Sequence, residues 1–147
     1  MSQSIREQIL QALMTTLAPV ATAQGATLLR SPVHGVPCGA SPALLLFPES
    51  DAIVARPNDW VERQLVVRLV ALAREARSTS PEALADQILV AAHAALVHNA
   101  NLGGLALGLR EPDCEWDVED ADAGAAALRA RYQITYRTQF HDLTRQG

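Results

Sequence analysis

The stretch from Leu128 to Phe140, LRARYQITYRTQF, decides the fold class. Leu128, Ala130, Tyr132, Ile134, Tyr136, Thr138 and Phe140 fall on one side of an extended chain; Arg129, Arg131, Gln133, Thr135, Arg137 and Gln139 fall on the other. Successive strand residues point to opposite faces, so this alternation predicts a half-buried antiparallel strand with a core on one side and water on the other.

Upstream, a second alternating stretch carries Glu111, Asp113, Glu115, Asp117 and Glu119 at odd positions and Cys114, Trp116 and Val118 at even ones, with a turn-like DADAG before the arginine strand. Carboxylates side by side on one strand face repel, and arginines on a neighbouring strand relieve them. Within one chain this gives cross-strand pairs worth under about 1 kcal/mol each on a solvated face. Between subunits, bidentate Arg–carboxylate pairs set register and partner choice, and Glu115, Asp117, Glu119, Arg129, Arg131 and Arg137 become interface residues. A Ca²⁺ site is a third reading, but a strand lacks the tight glycine-containing loop that wraps that ion.

Two helices are predicted. The first runs from Ser4 to about Leu17, with Ile5, Ile9, Ala12, Leu13 and Leu17 at helical spacing, a Ser4–Glu7 capping box and Pro19 as its stop. The second opens at Ser80-Pro81-Glu82, lines Leu84, Ile88, Ala91, Ala92, Ala95 and Leu96 along one face, and ends near His98–Asn101 with Gly103-Gly104 as the left-handed stop. Between them, Trp60–Ala73 reads as a long strand with Val61, Leu65, Val67, Leu69 and Ala71 on one face, with helix as the competitor. Thr27–Arg30 and Ala43–Phe47 read as short strands in a loop-rich region, 31–59, whose two irregular stretches are SPVHGVPCGASP and PESDAIVARPND. A short apolar run, Leu105–Leu109, follows the second helix. The expected architecture is a single α+β domain, a mostly antiparallel sheet with two main helices packed on one face.

Composition narrows function by exclusion. The chain has 147 residues, 49% apolar and 19% charged, which is a globular balance at the size of one domain. A formal charge of −4 argues against duplex nucleic acid, and few aromatics argue against single strands. All 12 cationic side chains are Arg, so a Schiff-base or Walker-type lysine is excluded. The N-terminal MSQSIREQIL does not read as a signal peptide, and no apolar run reaches membrane-spanning length. Cys38 and Cys114 belong to no CxxC pair and read as free thiols of a reducing compartment.

Chemistry-bearing residues are sparse. His93 and His98 are off the i, i+4 spacing of paired ligands, His34 lies in a loop and His141 near the C-terminus, so surface roles are expected. Cys114 with His34 is the one conceivable thiol nucleophile, with nothing in the sequence ordering it. Ser41 and GVPCG do not form a nucleophile elbow. Trp60 and Trp116 read as core or interface anchors. No cofactor and no catalytic residue is expected.

The run SPEALADQILVAAHAALVHNANLGGLALGLRE, then EWDVEDADAG, then ALRARYQITYRTQFHDL resembles the tail terminator (tail completion) proteins of long-tailed bacteriophages and prophage tails. The matching positions are Asp86 and Ile88, His93 to Leu96, Trp116 to Glu119, Tyr132 to Thr138, and Asp142-Leu143, within a similarity over about 4–144. The resemblance implies a small domain with helices against a sheet. It also implies a homo-oligomeric ring, commonly of six subunits, that caps the tail tube, stops its polymerisation and meets a head–tail connector protein. Its partners would be copies of itself, the tail-tube protein and the connector, in the virion tail after assembly in the bacterial cytoplasm. A neck protein of the same assembly and a small cytoplasmic enzyme are the other readings.

Overall fold

A computed structural model describes residues 2–33, 42–74, 80–117 and 125–147. The order is α1 (Ile5–Ala23), β1 (Thr27–Arg30), β2 (Ala43–Ala55), β3 (Trp60–Arg74), α2 (Pro81–His98), a 3₁₀ turn at Leu102–Gly104, β4 (Gly108–Asp117) and β5 (Ala125–Gln139). The strands form one sheet in the order β1-β2-β3-β5-β4, antiparallel except for the β1–β2 pair. Both helices lie on one face, α1 over β1 and β2, α2 over β3 and β5. The expected α+β architecture is the one observed.

The core follows from periodicity. Ile5, Ile9, Leu13, Leu17 and Ala21 recur every four residues on α1 and are all buried. They meet Ala85, Ile88, Ala92 and Leu96 of α2 and the inward positions of β3 and β5: Leu65, Val67, Leu69 and Ala71, with Leu128, Ala130, Tyr132, Ile134 and Tyr136. Opposite this core, Ala43, Leu45 and Val70 make a second, smaller apolar cluster on the helix-free face, beside Leu29, Phe47 and Leu72.

Five expectations are corrected. Pro19 does not stop α1, which continues to Ala23. The proline sits on the exposed side, and the burial of Ala21 one turn further offsets the backbone hydrogen bond it removes. The stretch 48–55 is not a loop but the distal half of β2, paired with β3 as far as Ala55↔Glu62. Because β1 covers only Ala43–Leu46, the outer edge of β2 has no strand partner beyond that point among the described residues, and an edge tolerates Pro48. Gly103 and Gly104 do have positive φ, 70° and 98°, but they shape the turn after α2; the helix itself is capped by Asn99. Phe140 lies past the end of β5 and is 61% exposed. Last, the acidic alternation is broken. Arg110 pairs with Gln133 and Asp113 with Arg131, so Glu111 and Pro112 together oppose Tyr132 in a β-bulge. The extra residue puts Glu111 on the helix side with Cys114, while Asp113 and Glu115 face the other way.

Candidate functional site

Two surfaces gather the charged and aromatic side chains, one on each face of the sheet. On the helix-free face, β3 and β5 set Arg68 directly opposite Arg131, a pairing of like charges. Glu49 of β2 lies between them, 3.9 Å from Arg68 and 4.0 Å from Arg131. Arg131 also forks onto Asp113 of β4, holding that carboxyl below its ordinary range. Arg137 bonds Glu62 at 3.2 Å and stacks over the Trp60 ring, and Arg68 stacks over Phe47. Glu115 pairs in register with Arg129. Of the expected interface residues, Arg131 and Arg137 therefore have partners inside the chain, Asp113 and Glu62. Asp117 ends β4 opposite Ala127, and Glu119 lies outside the described residues. Sequence reading missed Glu49 and Glu62 because their strands had to be aligned before their partners appeared.

The second surface is a groove of about 520 Å³ between α2 and the β4–β5 edge. Its apolar wall is Leu89, Val90, Ala94, Trp116 and Leu128, and Asp86, His93, Glu111, Cys114 and Tyr132 supply its polar atoms. Trp116 is 57% exposed and Val90 63%, an unusual amount of apolar surface for one side of a small domain. Trp116 is thus no core anchor.

This groove contains a thiol and an imidazole, so thiol chemistry can be tested on it. Cys114 and His93 make no hydrogen bond with each other; instead His93 Nδ1 and the Tyr132 hydroxyl share one of 2.8 Å. Burial, followed by the carboxylates Glu111, Asp113, Asp86 and Glu115, pushes the Cys114 thiol above its ordinary value, which opposes the thiolate a nucleophile needs. Tyr132 is likewise pushed up, by burial first and then by Glu111, and stays a phenol. His34 and Cys38 lie outside the described residues. Among the described residues no cluster of three His, Cys, Asp or Glu side chains could hold a metal ion, and no helix is long and apolar enough to cross a membrane.

At the opposite corner, the β2–β3 hairpin ends in the turn Arg56–Asp59. Ile53 and Val54 are exposed just before it, 39% and 45%, and Arg56 makes no ion pair among the described residues. The base of this arm is fixed: Asp51 accepts hydrogen bonds from Tyr136 Oη and, at 2.9 Å, from Arg6, with Arg63 at 3.9 Å.

No family model and no curated protein matches the chain. Among solved structures the fold is similar to that of a chain from the virion of a native gene transfer agent particle, with a TM-score of 0.58 and 18% sequence identity, over 90% of this chain and 90% of that one.

Proposed function

We propose that this chain is a structural virion protein of the tail-terminator type: a ring of identical subunits that caps the tail tube, ends its polymerisation and offers its other face to the head connector. The observation that carries the reading is the likeness of fold, over 90% of both chains, to a chain of a gene transfer agent virion. The tail-terminator resemblance of residues 80–143 narrows it to the tail end. The surface agrees in kind, with exposed Trp116, Val90, Val97 and Leu107 where an enzyme would need converging, activated groups.

A ring needs heterologous contacts, in which one surface of a subunit meets a different surface of the next. The charged face with Glu115, Arg129, Arg131 and Arg137 is one such surface in this proposal, with Asp117 at the end of the same strand as Glu115. Exchanging Glu115 and Asp117 for their amides then weakens assembly; unchanged assembly removes that face from the contact. The governing measurement is native mass by light scattering over a concentration series, with and without the tail-tube protein of the same particle. A closed oligomer alone, or one that appears only with tube, supports the terminator. Assembly with portal-side protein and not with tube favours a neck protein instead. A monomer indifferent to every partner overturns both.

A further inference from the structure

We infer that the groove between α2 and β4 receives the tip of the β2–β3 hairpin of a second copy of this chain, with Ile53 and Val54 against Trp116, Val90 and Ala94, and Arg56 at the acidic rim formed by Asp86 and Glu111. The inference rests on the ring reading and gives it a contact.

Three observations carry it. The first is charge. The groove combines an apolar wall with two carboxylates that have no ion pair among the described residues. The hairpin tip combines exposed aliphatic side chains with an arginine that has none either. Apolar residues beside a cation on one surface match apolar residues beside anions on the other. The second is backbone. Among the described residues β4 is the terminal strand of the sheet, and β2 beyond Leu46 has no strand neighbour on its outer side. Both partners thus present uncovered strand edges, which extended segments satisfy by pairing.

The third is placement. The tip stands at the end of the sheet where β3 begins and β5 ends; the groove flanks the other end of β5, at the opposite edge. A subunit therefore cannot fill its own groove, and each copy has one donor surface and one acceptor surface. That geometry propagates head to tail and closes only as a ring.

The test uses the thiol already in the groove. In a full-length chain carrying Cys38→Ser and Val54→Cys, mild oxidation with copper–phenanthroline joins position 54 to Cys114 of the next copy. The expected product is a ladder of covalent multimers that adding Cys114→Ser collapses to dimers at most. Oxidation traps the contact even when most of the protein is monomeric. A ladder whose disulfides, mapped by peptide mass, are 54–54 and 114–114 rather than 54–114, or no ladder while native mass still shows a ring, overturns the groove contact and leaves the ring reading standing. Absence of both ladder and ring overturns the two together. Charge exchange is an independent arm: Arg56→Glu lowers assembly at least tenfold in half-assembly concentration, and adding Glu111→Arg restores it. Failure of the rescue, with the double variant folded by circular dichroism, counts against the rim pairing.

Discussion

At the scale of single residues, the sequence offers Glu7 two uses and the fold realises a different division of labour. Ser4 Oγ accepts the Glu7 backbone N–H at 3.0 Å, as a helix cap should. The Glu7 carboxylate, however, takes both arms of the Arg30 guanidinium, each at 2.7 Å, and so ties the first turn of α1 to β1. That fork holds the Glu7 pKa below its ordinary 4.5. A depressed carboxyl stabilises the folded chain above the ordinary value, and the contribution disappears as pH falls through the lowered one. Glu7→Gln should therefore cost about 0.5–1 kcal/mol at neutral pH, screened because both side chains are half-exposed. The difference from wild type should vanish in acid. Thermal unfolding from neutral pH downward measures it; a gap that persists in strong acid would mean the substitution acts through packing. Asp51 is the converse case. It lies in a stretch rich in turn-forming residues, and its partners Arg6 and Tyr136 are 45 and 85 positions away. No local pattern foretells a carboxylate buried by such distant donors.

At the scale of elements, periodicity was legible and interruptions were misread. The alternations at 60–73 and 128–138 correspond to the two longest strands, and the capped, alanine-rich segment after Ser80 to α2, because each of these rules is local. Pro19, Pro48 and the bulge at Glu111–Pro112 were illegible because the effect of a proline depends on which side of an element faces a neighbour. Pro19 is exposed on α1, and Pro48 lies two residues past the last position of β2 that β1 covers. The same displacement hid the groove: without the bulge Glu111 would belong to the arginine face, and the acidic rim beside Trp116 would not exist. Since Pro19 costs α1 a hydrogen bond that only its exposed position makes tolerable, Pro19→Ala should stabilise the chain by about 1–3 kcal/mol. A rise in Tm of several degrees checks this; a fall would show that the proline ring itself contributes to the folded state.

At the scale of the whole molecule, the two faces of the sheet differ in what they leave unfinished. The helix-free face balances its charges across strands, so Arg68 and Arg131 sit opposite each other with Glu49 between them. The helix side ends instead in a groove whose carboxylates have no ion pair among the described residues, beside an exposed tryptophan, and the hairpin tip carries an arginine of opposite sign. Salt separates the two arrangements. Raising ionic strength from about 0.1 M to about 1 M shortens the Debye length from about 10 Å to about 3 Å. Pairs already held by strand register inside one chain lose little, because the apolar core fixes their geometry regardless. A contact between copies loses the attraction that brings Arg56 to Asp86 and Glu111. The half-assembly concentration should therefore rise several-fold with sodium chloride while the Tm of the single chain moves by no more than a few degrees, both read on the same samples by light scattering and calorimetry. Assembly indifferent to salt would assign the contact to Ile53, Val54 and Trp116 alone and leave Arg56 without a part in it.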